Sequence, residues 1–242
     1  MAIAARTGLV SYFDGSTELE GYLAIPTESA KAPRPIVLVV HTWTGLDEFA
    51  RAKAHMLAEL GYIALAVDVY GKGRRGTTHA ECGALMTPWT EDRGALRARL
   101  LAAVAAAKTI EGGDGDRLGV IGFCFGGLCA LDLARANAPG LRAAIAFHGL
   151  LHPPNLGAQP SIKAKLLALH GFDDPLVRPE GMVAFEEEMT AAHADWQVVA
   201  YGATGHAFTN PMVHDYASGM FYREIIADRA FASMRALLAE AL

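Results

Sequence analysis

Gly119-Val120-Ile121-Gly122-Phe123-Cys124-Phe125-Gly126-Gly127-Leu128 is the stretch that decides how this chain reads. An apolar run enters Gly-x-Cys-x-Gly, and a helix-forming run, Cys129-Ala130-Leu131-Asp132-Leu133-Ala134, follows at once. A strand that feeds a helix through so tight a turn has the pattern of a nucleophile elbow. Glycines two before and two after the central residue let strand and helix approach closely. The central side chain then projects at the carboxyl end of a sheet. Cys124 holds that place, so the segment predicts a nucleophile and, with it, a hydrolase.

Outward from the elbow, apolar runs and helical patterns alternate. Leu9–Phe13 and Leu19–Ile25 flank Asp14-Gly15 and predict an antiparallel hairpin. Ile36-Val37-Leu38-Val39-Val40 is a continuous run of the kind buried on both faces of a sheet. A helix is expected from about Asp47 to Leu60, closed by Gly61, and a strand over Tyr62–Val67. Glu91 to Lys108 carries Leu96, Leu100, Val104 and Ala107 at helical spacing. Beyond the elbow, strands are expected at Ala143–Phe147, Ala164–Leu169 and Trp196–Tyr201. Helices are expected near Pro179–Ala192 and at the C-terminus, where Phe231, Met234, Leu237 and Leu238 recur. Alternation of this kind implies an α/β fold, a mostly parallel sheet with helices on both faces. With no linker or repeat to divide it, 1–242 is expected to be one domain. Gly71 to Thr90 reads as the longest irregular connection, a candidate lid or pocket wall.

The bulk properties exclude several classes. A net charge of -5 offers no basic field for nucleic acid. No apolar run approaches the ~18 residues of a membrane span, and Met1–Gly8 lacks the features of a signal peptide. Cys82, Cys124 and Cys129 are odd in number and lack metal-ligand spacing. They argue against a disulfide scaffold or zinc site and for a reducing, cytoplasmic setting.

A thiol attacks as its thiolate, so Cys124 needs a base, and the base needs an acid to orient it. In an elbow enzyme of this kind the chain order is nucleophile, acid, histidine. Leu169-His170-Gly171-Phe172-Asp173-Asp174-Pro175-Leu176-Val177 places a carboxylate just past a strand. Asp174, in Gly-x-x-Asp-x-x-Val, is preferred as the acid, and Asp173 is read as a turn former or cap. Among nine histidines, His206 alone lies in the loop after the strand that follows the acid, within Gly205-His206-Ala207-Phe208. It is the expected base. One oxyanion-hole N–H is expected from Phe125, the other from the loop His41-Thr42-Trp43-Thr44-Gly45, with Trp43 selected. The Trp43 ring is available to wall the acyl pocket or to fill the core. His41, His148 and His170 end strands at the same edge, either to line the site or as satisfied structural residues. Cys129 is expected in the core.

These blocks, with Ala66-Val67-Asp68-Val69-Tyr70-Gly71, resemble the dienelactone hydrolase family over nearly the whole chain. The resemblance implies the α/β-hydrolase fold and a Cys124–Asp174–His206 triad. It also implies hydrolysis of a small-molecule ester or lactone through a thioester acyl-enzyme, without metal or organic cofactor. Two departures stand out. The family's glutamate in the oxyanion loop aligns with Thr42, and its carboxylate-binding arginine with Asn210, which is followed by Pro211 and reads as a turn residue. Arg74, Arg75 and Arg93 are the candidate replacement cations, with solvated surface roles as the plain alternative. Loss of the glutamate leaves Cys124 and His206 free to form a resting thiolate–imidazolium pair, suited to activated esters and phosphotriesters. A non-catalytic sensor of oxidants or electrophiles through Cys124 is the alternative function. It gives no reason for His206 and Asp174 to stand in register. A peptidase ranks lower still, since no propeller or large lid is present to select peptides. Either a monomer or a homodimer fits the sequence.

Overall fold

The computed structural model describes residues 4–28 and 30–242. Its frame is an eight-stranded sheet in the order β1-β2-β4-β3-β5-β6-β7-β8. β1 (Ala5–Asp14) and β2 (Thr17–Pro26) form the antiparallel hairpin, turned at Gly15, where φ is 58°. β2 pairs antiparallel with β4 (Ile63–Val67). From there the pairing is parallel through β3 (Arg34–Val40), β5 (Gly113–Phe123), β6 (Leu141–Phe147), β7 (Lys165–Gly171) and β8 (Asp195–Tyr201).

Period-two alternation sorts the central strands between two cores. Ile36, Leu38 and Val40 of β3 and Leu118 and Val120 of β5 face α3 (Arg93–Ala107), α4 (Phe125–Arg135) and α5 (Pro179–Ala191). Val37, Val39, Ile121 and Phe123 face α1 (Glu48–Glu59) and α6 (Glu224–Ala241). Covering both faces is what makes Ile36–Val40 read as an unbroken apolar run. Asp47 caps α1 by accepting from the Ala50 N–H, and Gly61, with φ 96°, ends it in the left-handed conformation.

Two expectations need correction. The segment 71–90 is not one irregular connection: α2 occupies His79–Glu91. The Thr78 side chain accepts from the Glu81 N–H while the Glu81 carboxylate reaches back to the Thr78 N–H, a capping box visible in Thr-x-x-Glu. Only residues 71–78 remain as loop. A small hairpin, β9 (His214–Asp215) with β10 (Met220–Phe221), was not anticipated either, because its strands are too short to show periodicity.

Candidate active site

β5 ends at Phe123, α4 begins at Phe125, and Cys124 sits between them with φ 55° and ψ -117°. That backbone is strained for a residue with a side chain, and strain of this kind marks functional turns. The neighbours show why glycine flanks it. A Cβ on Gly122 would overlap the Gly126 carbonyl oxygen, and one on Gly126 would overlap that of Val40. The Cys124 N–H donates to Phe147 O at 3.0 Å, pinning the turn to β6, and its side chain is half-buried.

Past β7, Asp174 is buried, its Oδ1 accepting from the Leu176 N–H at 2.8 Å. Oδ2 meets His206 Nδ1 at 2.7 Å. Asp173 is exposed and uses its N–H to bond Thr204 O, tying the acid loop to the histidine loop. His206 is held from both sides by the unanticipated hairpin segment: its N–H donates to Gly219 O at 2.8 Å and its carbonyl accepts from Phe221 at 3.0 Å. Burial alone would depress the His206 imidazole. Interaction with the Cys124 sulfur and then with the Asp174 carboxylate more than offsets this, and its pKa is pushed up to about 10. No hydrogen bond of good geometry reaches Nε2, so the coupling to Cys124 is chiefly Coulombic.

The structure brings the oxyanion loop beside the elbow, with the Val40 and His41 carbonyls against Gly126. Phe125 opens α4, where an N–H lacks an intrahelical acceptor. The Trp43 N–H makes no hydrogen bond among the described residues. The Trp43 ring is partly buried and lies edge-on to His79 of α2 at 4.7 Å, so α2 does wall this region. The 71–78 loop packs on the same segment through Gly76 N–H to Thr44 O at 2.9 Å. The Thr42 hydroxyl joins Thr44 and, through it, the Asp47 cap of α1.

Other sequence candidates fall elsewhere. Arg93 is neither a free cation nor a surface residue: it is buried, with Nε and Nη2 on Asp132 at 2.7 and 2.6 Å. Its charge is spent inside the fold, since α3 needs an anchor on α4. Asn210 shapes a turn, its Oδ1 accepting from the Met212 N–H at 3.0 Å. Arg74 and Arg75 are exposed on the loop against Gly45. His148 lies edge-on to His206 at 4.9 Å and meets Thr209 Oγ1 through Nε2 at 2.8 Å. Burial, then the neighbouring His206 and His170, hold it far below the usual histidine range, so it stays neutral beside the imidazolium. His170 Nε2 donates to Val177 O at 2.9 Å. Cys129 and Cys82 are buried. A cavity of about 250 Å³ is walled by Asp132, Arg135 and Glu188 at the far end of α4, away from Cys124. Among the described residues no cluster of three or more His, Cys, Asp or Glu side chains is placed to hold a metal ion, and no helix is long and apolar enough to cross a membrane.

The parallel sheet, the elbow after β5 and the loops gathered at its carboxyl edge define an α/β-hydrolase fold. Within that class the chain belongs to the dienelactone hydrolase family, whose model matches residues 19–242, and it is a hydrolase. It is 36% identical to a dienelactone hydrolase-like promiscuous phosphotriesterase from metagenomic libraries, with a TM-score of 0.92 and coverage of 100% and 99% of the two chains. A Klebsiella pneumoniae structure named "Putative Dienelactone Hydrolase" is 28% identical with a TM-score of 0.79, covering 98% of this chain and 99% of that one. A Salmonella typhimurium protein named "Putative carboxymethylenebutenolidase" is 29% identical over 244 residues, 96% of this chain and 86% of the relative.

Proposed function

We propose that this enzyme hydrolyses small ester and lactone substrates by covalent catalysis at Cys124, with His206 as acid and base and Asp174 as its orienter. The observation that carries this reading is the conjunction of a positive-φ cysteine on the elbow with a buried His206–Asp174 pair at 2.7 Å. The resting state is a thiolate–imidazolium pair, supported by the raised His206 pKa of about 10. Thr42, with its hydroxyl bonded to Thr44, is no proton acceptor for the thiol.

The sulfur attacks the acyl carbon, and the carbonyl π pair moves onto oxygen. Collapse breaks the C–O bond, and His206 gives its Nε2 proton to the departing alkoxide. Neutral His206 then takes a proton from water as the hydroxide adds to the thioester. The second collapse releases the acid and restores the thiolate facing imidazolium. Asp174, accepting from Nδ1, keeps Nε2 aimed at the reacting groups.

With Asn210 in a turn and Arg93 locked on Asp132, neither residue offers a free cation to a substrate carboxylate. Activated neutral esters suit the site, and phosphotriesters would be attacked by the same sulfur at phosphorus. The structurally similar phosphotriesterase supports that extension. Three unpaired cysteines suit a reducing, cytoplasmic setting.

Burst release of p-nitrophenol from p-nitrophenyl acetate, with an acetyl adduct on Cys124 by mass spectrometry, is the expected result. Persistence of the burst in Cys124→Ala would refute the mechanism. Alkylation of Cys124 by iodoacetamide should stay fast through neutral pH. A single titration near the free-thiol value of ~8.5 would remove the ion pair.

A further inference from the structure

His41 follows β3 as the first residue of the oxyanion loop and is fully buried. The backbone N–H of Val69 donates to its Nε2 at 3.2 Å. A backbone N–H can only donate, so Nε2 is unprotonated and Nδ1 carries the ring hydrogen. Nδ1 therefore donates to Thr42 O, at 2.6 Å. Burial lowers the His41 pKa and keeps the ring neutral, and the two partners fix its tautomer.

The acceptor matters because of where it sits. Thr42 C=O and Trp43 N–H belong to the same peptide unit, and in a planar trans peptide they point in opposite directions. Fixing Thr42 O from below therefore aims the Trp43 N–H, which is otherwise without a partner, to the other side. Donation to a peptide carbonyl also polarises the N–H across the amide. Tyr70 clamps the following peptide: its hydroxyl donates to Trp43 O at 3.1 Å. The Tyr70 ring lies edge-on to His41 at 4.8 Å and stacks on Phe125, the bearer of the other oxyanion N–H, at 5.8 Å.

We propose that His41 is a positioning residue for the oxyanion hole, holding the Thr42–Trp43 peptide through Nδ1–H with Tyr70 as the second clamp. This rests on the triad reading above and adds to it the element that orients the second donor. His41 touches no reacting atom; it acts through the peptide it holds.

Two substitutions separate this role from plain structural support of Val69. His41→Asn keeps a donor near the place of Nδ1 and loses the acceptor for Val69. His41→Gln keeps the acceptor and loses the donor. With p-nitrophenyl acetate, His41→Gln should lower kcat about 10- to 100-fold at nearly constant KM, while His41→Asn stays within about threefold of the parent. Iodoacetamide alkylation of Cys124, which needs no oxyanion hole, should be unchanged in both. The reverse order, equal losses, or alkylation falling in step with kcat would overturn the proposal. Should the His41 variants fail to fold, Tyr70→Phe supplies the same test. It should lower kcat about 3- to 10-fold with alkylation unchanged, and no fall in kcat would overturn the proposal. The triad reading is judged separately, with His41 and Tyr70 left as they are. If ester turnover there survives Cys124→Ala, the triad fails and this inference falls with it.

Discussion

At Cys124 the backbone holds φ 55°, and the atoms nearest a Cβ at Gly122 or Gly126 are all backbone. Gly122→Ala puts a methyl group into the Gly126 carbonyl and should destabilise the fold by about 3 kcal/mol or more, read from urea midpoints. A drop under about 1 kcal/mol would mean that the elbow relaxes freely. The two neighbouring aspartates give a cleaner contrast. Asp174 is buried on His206 Nδ1, whereas Asp173 is exposed with only its backbone engaged. Asp174→Asn should lower kcat roughly 10²- to 10⁴-fold through loss of the correct tautomer and of imidazolium stabilisation, with Asp173→Asn near the parent value. Comparable losses in both would refute the assignment. The cysteine, the histidine and the acid loop were legible because local patterns carried them. What Arg93 does was not, since a guanidinium in a helix looks the same in sequence whether it meets water or Asp132.

The elements around the site are joined by polar contacts that no periodicity announces. Asp132 of α4 holds both Arg93 of α3 and Arg135, and Arg135 reaches Glu188 of α5 at 2.7 Å. These side chains are almost wholly buried apart from Glu188. Asp132→Ala would strand the Arg93 guanidinium, while Arg135 keeps Glu188, and should cost about 3–5 kcal/mol by urea denaturation. Thr78→Ala removes half of the capping box of α2 and should cost about 1 kcal/mol locally. Hydrogen exchange should quicken in α2 and not in α4. Uniform protection would show that α2 is held by packing rather than by its cap. The Thr78-x-x-Glu81 signal was present in the sequence. Glycines and threonines before it hid the helix behind a loop-like composition, and only the reciprocal bonds reveal it.

Across the whole molecule, the carboxyl edge of the sheet buries His41, His148 and His170 as neutral rings, their pKa values lowered first by burial. The unfolded chain binds protons at these histidines below about pH 6.5 while the folded state does not, so stability rises with pH in that window. His206 runs the other way: its raised pKa keeps it protonated in the folded state while the unfolded imidazole loses its proton near pH 6.5, so it partly offsets the rise close to neutral pH. Unfolding free energy should therefore be lower at pH 5.5 than at pH 7, by at most about 1.36 kcal/mol per pH unit from each histidine. A flat profile would contradict their burial as neutral groups. The sequence by itself determined the alternating α/β frame, the cysteine on its glycine-flanked turn, and the order in which the aspartate and histidine loops follow it. Each of these is written in short-range periodicity or in spacing along one loop. Only the tertiary structure decided which aspartate meets His206, that residues 214–221 hold that histidine, and that His41 grips the peptide of Trp43. The Asp174 and His206 loops are brought together by the pairing of β7 with β8, and His41 is locked by Val69, just past β4, the neighbour of β3. Contacts across a sheet depend on strand order in space, which one-dimensional pattern does not carry.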